Sequence, residues 1–483
     1  MSLLRTKPLA VVVDDPDSEH GGLRRALGPW DLVAIGIGCI IGVGIFVLPG
    51  VEAAKHAGPG IILSFAIAAA ACACAALCYA ELAAMIPVAG SAYTYGYATL
   101  GELFAWIIGW DLILEYIVAA WLVSIGWSAY FSNLVNTLLS RWKLEIPSVL
   151  ASAPLVWDSA AHEFRTTGAF VNLPALAIVA LLTILLVRGI RESARVNSIM
   201  VVIKLGVILL FIGLAVWHVE PANWKPFMPF GFSGVTTAAA IVFLAFVGFD
   251  AVSTAAEEAR NPQRDMPMGI MGSLAVATVL YMGVSAIMTG IVPYTDLGVA
   301  DPVALVLNVL DMKLASALVS VGAITGITSV LLVLLMAQPR IFFAMSRDGL
   351  LPVAMSKVHP RYRTPVTTTI VTGLVVAVGA ALLPIDVVAE LCSIGTLFAF
   401  VIVSAGVIVL RFTRRDIHRP FRVPMFPFVP ALGILLCGGL MVRLPLSTWI
   451  RFVAWLVLGL IIYCTYSYRH SKLATRDAAP PRA

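Results

Sequence analysis

The stretch IGIGCIIGVGIF, residues 35–46, carries four glycines (Gly36, Gly38, Gly42 and Gly44) inside an apolar run. Glycine is among the poorest helix formers, and a segment crossing lipid cannot leave its peptide groups unpaired. Two reasons for such a weakened helix are open. Small residues let helices approach closely, and Gly38 and Gly42 have the small-xxx-small spacing. Alternatively, the helix unwinds around Gly42 to Gly44, and the groups it frees become ligands. N–H groups opening the following half-helix would receive an anion, and carbonyls closing the preceding half would favour a cation. One break would then seat the carboxylate and the ammonium of an amino acid together.

The surrounding chain has 483 residues, of which 60% are hydrophobic and 12% charged, against about 25% charged in a soluble domain. So much apolar surface cannot be hidden from water, and lipid is the expected solvent. Runs of about 20 apolar residues predict spans near 30–54, 60–86, 101–134, 171–187, 196–217, 235–257, 268–292, 314–338, 366–383, 386–410, 425–443 and 450–468. The fold class is therefore an all-α integral membrane protein with 12 transmembrane helices. Polar tails are expected at 1–28 and 469–483, with no cleaved signal before Gly28. The third span lacks proline from Gly101 to Leu138 and reads as one tilted helix. Pro87 and the polar stretch behind it separate that span from the second, and residues 140–170 read as an irregular outer loop.

With the N-terminus inside, 23 of the 32 lysines and arginines fall in inner segments and eight in outer ones; the remaining one is Lys204, inside a span. That bias places both termini in the cytoplasm and makes the basic loops topology markers, with no nucleic acid as partner. The seven cysteines lie in apolar spans, so no disulfide framework is implied. The seven histidines fall in loops, tails or helix ends. An intramembrane enzyme, which wants clustered His, Cys or acids, is disfavoured, and no metal or cofactor is called for. A channel would want a repeated pore-lining ring.

A second interruption, FVGFD at 246–250, follows the first by five helices. Paired interrupted helices in matching positions of two halves are the sequence pointer to a transporter's binding site, and this correspondence favours unwinding over packing for the glycines. Lys204 sits eight residues into the fifth span, within the apolar run SIMVVIKLGVILLFIGL, too deep for snorkelling. A lysine there must find hydrogen-bond partners or give up its proton; it reads as a coupling residue, with a structural ion pair as the alternative. Asp250 is expected to cap the half-helix it precedes or to meet substrate. Glu115 either faces the cavity or pairs with a neighbouring helix, while Asp111 is placed nearer water and Glu81 reads as structural. The runs EEARNPQRDMP and SRDGLLP read as solvated inner-loop motifs for gating or packing.

Four segments, IGIGCIIGVGIF (35–46), CYAELAAMIPVAGSAYTYGYATLGELFAWIIGWDLILEY (78–116), FLAFVGFDAVSTAAEEARNPQRDMP (243–267) and PRIFFAMSRDGLLP (339–352), together resemble the amino acid–polyamine–organocation superfamily. The likeness is to bacterial members near the cationic amino acid transporters and runs from about Leu23 to Tyr468. The resemblance implies a leucine-transporter-type fold with discontinuous helices 1 and 6. Its twelve-helix domain at 29–468 would comprise inverted five-helix halves at 29–217 and 234–411 and two extra helices at 425–468. By the same analogy, the amides of Val43 and Gly44 hold a substrate carboxylate and the carbonyls of Ile40, Leu244 and Val247 its amino group. Gly42, Ile45, Phe246 and Phe249 complete the substrate residues. Some proton-coupled relatives place a lysine where sodium-coupled ones bind sodium, which gives Lys204 the carbonyls of Gly38 and Ile41 and the hydroxyl of Thr328 as partners, with Ser329 as alternative.

The expectation is proton-coupled symport of L-amino acids into a bacterial cell across its inner membrane, by alternating access. Sodium-coupled symport and exchange are the runners-up. The aliphatic stretch TSVLLVLLMAQPR (328–340) favours neutral substrates such as alanine over cationic ones. A small membrane subunit stays open as a partner.

Overall fold

A computed structural model describes residues 27–86, 92–139, 146–158, 163–188, 190–299, 301–359, 364–383, 385–415, 417–442, 444 and 446–473. Most of the expected tails and the turn at Pro87 lie outside these residues. Helix α1 (Pro29–Ile40) opens on Gly28, whose amide donates to Asp31 Oδ2 at 2.8 Å, with Pro29 in the first turn; proline costs nothing there because that N–H has no intrahelical partner. After the break comes α2 (Val43–Phe46), continued by Leu48–Glu52 and two irregular turns into α3 (Ile61–Met85). The chain proceeds through α4 (Ala92–Thr99), α5 (Glu102–Leu139), α6 (Leu173–Arg188), α7 (Ile190–Ala215) and α8 (Gly231–Val242). Then follow α9 (Pro262–Ile291), α10 (Pro302–Val309), α11 (Lys313–Arg347), α12 (Val366–Leu382), α13 (Ile385–Thr413), α14 (Phe428–Val442) and α15 (Leu446–Ile462).

Among the described residues, eight helical stretches are long and apolar enough to cross a membrane, and four further apolar helices are shorter. The long third span is one uninterrupted helix of 38 residues. Two features depart from the expected organisation. The segment expected as an outer loop contains two short antiparallel strands, β1 (Leu155–Asp158) against β2 (Glu163–Thr166), with Leu155 opposite Thr166. The stretch after Pro87 folds as α4, because Tyr93, Tyr95 and Tyr97 bury their rings in the core and so stabilise a helix of weak apolar periodicity.

Helix α9 packs on α1 and α3, α11 on α5 and α7, and α13 on α3 and α5. Helices α7, α12 and α15 lie outermost and expose whole aliphatic stripes, including Val202, Leu209, Leu374, Val378, Ile450 and Ile461. Patches of this extent do not persist against water; the protein is a multi-pass membrane protein and these faces meet lipid.

Polar anchors hold one end of the bundle. Buried Glu81 accepts hydrogen bonds from Arg411 of α13 and from the Val423 amide. Buried Glu102 accepts the hydroxyls of Tyr97, Tyr463 and Ser471 at 3.1, 3.0 and 2.6 Å. The EEARNP segment is not the solvated run expected from its charges. It folds back under the second break, where Glu258 is buried against Arg340 of α11 at 2.5 Å. Its backbone pairs with Leu27, through Leu27 N–H to Glu258 O and Arg260 N–H to Leu27 O, both 2.9 Å. Nor is SRDGLLP free: Asp348 accepts the Tyr93 hydroxyl at 2.8 Å, and its carbonyl accepts the Lys472 amide at 3.1 Å.

Removing one partner of a buried pair strands the other charge, at a cost of about 3–5 kcal/mol. Arg340→Ala is therefore expected to lower the unfolding temperature of detergent-solubilised protein, and pairing Arg340→Met with Glu258→Gln to restore most of it. An unchanged transition in Arg340→Ala would show the pair to be idle.

Candidate functional site

Both interruptions are present, and they meet. Helix α1 ends with the Ile41 amide donating to Ile37 O at 3.0 Å. Ile41 and Gly42 are extended (φ −81°, ψ 103° and φ −156°, ψ −127°), and helical geometry resumes at Val43. The first amides of the new segment, Val43 and Gly44, have no preceding turn to pair with. The second break begins where α8 tightens into a single 3-10 turn, Phe243–Phe246. Val247 is extended (φ −58°, ψ 134°), Gly248 takes φ +116°, and a short turn, Ala251–Thr254, follows. Gly248 is needed twice over. A side chain is strained at that φ, and a Cβ would lie 2.5 Å from the Cys39 sulfur.

The two breaks are in van der Waals contact through small residues. A Cβ added at Gly44 would lie 2.6 Å from Ala245 Cβ and 3.3 Å from the Tyr281 hydroxyl. Tyr281, fully buried on α9, directs that hydroxyl at the carbonyls of both breaks: Ile40 O at 2.8 Å and Ala245 O at 2.7 Å. Beside this junction lies the aliphatic side chain of Val330, 2.6 Å from where a Cβ on Gly42 would sit, while Val43 Cγ2 lies 3.2 Å from where one on Gly126 of α5 would sit.

Lys204 is completely buried on α7, with Nζ donating to Gly38 O (3.0 Å), Ile41 O (2.7 Å) and Ser329 Oγ (2.7 Å). An ammonium has three donors, and each finds one acceptor. Ser329 Oγ in turn lies 2.9 Å from Gly326 O and 3.1 Å from Gly38 O. The hydroxyl at the lysine thus belongs to Ser329, not to Thr328. One residue of helix rotates a side chain by about 100°, and Thr328 Oγ1 accepts from Trp127 Nε1 at 2.8 Å and donates to Ile324 O at 2.7 Å instead. No carboxylate pairs with Lys204 among the described residues.

Other expected site residues lie elsewhere than at the junction. Phe246 is packed edge-on against Phe65 and Tyr281, and Phe249 edge-on against Tyr79 and tilted against Phe400, all buried. Ile45 turns to a void of about 10 Å³ lined also by Val207, Phe211 and Val284. The Leu244 carbonyl accepts the Val247 amide at 3.3 Å, closing the 3-10 turn, while the Ala245 carbonyl beside it is the one aimed at the first break.

The acids form a buried cluster near the second break. Asp250 makes no capping hydrogen bond to the turn it precedes; its Oδ2 accepts one from the buried Tyr116 hydroxyl. Glu115 Oε1 accepts from Thr396 Oγ1 of α13 at 2.8 Å. Asp111, expected nearer water, is completely buried, and a Cβ on Gly395 would lie 3.1 Å from its Oδ1. Asp111 Oδ1 and Oδ2, Glu115 Oε2 and Asp250 Oδ1 have no hydrogen-bond partner among the described residues. Spacing carried the signal for Asp111: it is four residues from Glu115, hence on the same helical face. Nothing in the sequence singled out Tyr281.

The sequence model of a family described as amino acid permease matches residues 27–463. The chain is 50% identical to the branched-chain amino acid permease BcaP of Bacillus subtilis (strain 168), over 98% of this chain and 99% of that protein. It is 48% identical to the methylthioribose transporter of the same organism, with equal coverage. It is also 31% identical to cationic amino acid transporter 4 of Homo sapiens, over 98% of this chain and 91% of the relative. The chain belongs to the amino acid permease family within the amino acid–polyamine–organocation superfamily, and is a transporter, not an enzyme.

Proposed function

We propose that this protein is a proton-coupled symporter that takes neutral, aliphatic L-amino acids into a bacterial cell by alternating access. The carrying observation is the meeting of two interrupted helices in the buried core, with a lysine donating to the carbonyls that close the first half-helix. In this reading the Val43 and Gly44 amides receive the substrate carboxylate, and freed carbonyls of both breaks receive its ammonium. Lys204 fills the place where a sodium-coupled carrier would hold its ion, which disfavours sodium symport, and its proton is the coupling ion. The eight long apolar helices and four shorter ones support a reading as twelve crossings, with inverted halves at 29–217 and 234–411 and 425–468 appended. Both termini lie in the cytoplasm of a cell whose inner membrane holds the protein.

The substrate class follows from the junction's neighbours. Val330 of α11, packed against Gly42, and the aliphatic run around it offer a substrate side chain no charge to pair with. The relative named as a branched-chain amino acid permease agrees with that character, and extends the expected substrates from alanine to leucine, isoleucine and valine. The methylthioribose transporter sets a competing cargo that carries neither a carboxylate nor an ammonium and would leave the freed groups of the breaks without charged partners.

Two measurements in proteoliposomes test this. Leucine, isoleucine, valine and alanine are expected to compete for uptake, with arginine, lysine and methylthioribose competing at least tenfold more weakly, as about 1.4 kcal/mol of lost pairing requires; preferential uptake of arginine or of methylthioribose would overturn the assignment. Lys204→Gln is expected to fold, since the loss is of order 1–3 kcal/mol, and to lose accumulation driven by an imposed pH gradient. A variant that still concentrates substrate under that gradient would remove Lys204 from coupling.

A further inference from the structure

Tyr281 donates into the junction from a helix that has no break of its own. Its ring is held between Phe65 and Phe246, with centroids 5.2 and 5.1 Å away, so the hydroxyl is the only part of the side chain facing polar groups. It faces two acceptors, Ile40 O and Ala245 O, at 2.8 and 2.7 Å. A phenol has one hydrogen, so the two carbonyls share a single donor. Three donors on a small cation would serve both and leave one to spare.

We infer that the Tyr281 hydroxyl is a built-in stand-in for the substrate's ammonium: it satisfies the carbonyls of both breaks while the carrier is empty and is displaced when an amine arrives. This deepens, and rests on, the amino acid reading above. Ile40 O is a carbonyl that reading assigns to the ammonium, and Tyr281 occupies it. The contact between Gly44 and Ala245 leaves no space for a ligand between the breaks, so an incoming amine must part them as it takes over the hydroxyl's acceptors. The stand-in also has a use. A symporter must reorient empty after each delivery, and bare carbonyls in a dry core would oppose that step.

The test compares wild-type protein with Tyr281→Phe in detergent, by calorimetric titration with leucine and with 2-hydroxyisocaproate, which keeps the carboxylate and replaces the ammonium by a hydroxyl. Removing the competitor is expected to tighten leucine binding about tenfold and binding of the hydroxy acid, which need not displace the tyrosine, by less, so that the preference for leucine widens. In proteoliposomes the variant should keep leucine–leucine exchange within about twofold while net uptake falls about tenfold, because only the net cycle passes through the empty carrier. A purely structural tyrosine would weaken binding, exchange and uptake together, and that result, like unchanged leucine affinity, overturns the stand-in. Tyr281→Met serves the same comparison should the phenylalanine variant not fold. A wild-type protein that binds no amino acid instead overturns the amino acid reading itself, and the stand-in with it.

Discussion

A helix broken inside hydrocarbon frees peptide groups that no lipid can satisfy, and each costs several kcal/mol if left bare. The organisation of this protein's centre follows from that one constraint. Freed carbonyls at the first break are claimed from two directions: Gly38 and Ile41 by Lys204 of α7, Ile40 by Tyr281 of α9. Ala245, in the second break, shares Tyr281 with Ile40. Three unbroken helices, α7, α9 and α11, thus supply donors to two broken ones, with Ser329 as the relay from α11. The breaks are tolerated only because these helices hold the donors in place.

The same constraint explains why glycine and alanine stand where they do. Gly44 against Ala245 and Gly248 against Cys39 are positions where any larger side chain would push the breaks apart. Close approach is what allows one hydroxyl to reach carbonyls on both segments. The packing and the unwinding explanations of the glycines are therefore not rivals: Gly38 sits tightly against Asn197 and Gly42 against Val330, and the chain still unwinds between them and α2.

Much of this was legible in the sequence because hydrocarbon makes polarity conspicuous. A lysine in SIMVVIKLGVILLFIGL and glycines in two separate spans announce themselves against an apolar background, whereas run length missed the polar ends of helices such as α9, which begins at Pro262, and α11, which continues to Arg347. What stayed hidden depends on helix rotation or on residues with two characters. Thr328 and Ser329 differ by one position, and only the rotation of α11 decides which meets Lys204. Tyrosine is as much a core residue as a donor, so Tyr281, Tyr116 and the tyrosines of α4 carried no distinguishing mark. Glu258 and Asp348 misled for the opposite reason, since charge near a span's end reads as solvation until a buried partner is seen.

The acid cluster places a second polar seam beside the first. Glu115 is tied to α13 through Thr396, Asp250 to α5 through Tyr116, and Asp111 lies against the glycine that precedes Thr396. Asp111 and Glu115 lie one turn apart on the same face of α5, and Asp250, just past the second break, is bonded to the residue that follows Glu115, so the three acids form a buried polar column. Any movement that parts the breaks to admit a ligand shifts Gly248 and Asp250 together, because the two are separated by a single residue. The Tyr116–Asp250 bond must then follow or yield. The second break is thereby linked mechanically to α5 and α13, as the first is to α7 and α11 through Lys204, so each interrupted helix is fastened to the unbroken scaffold by its own polar contact and the pair can separate without either being released into the lipid.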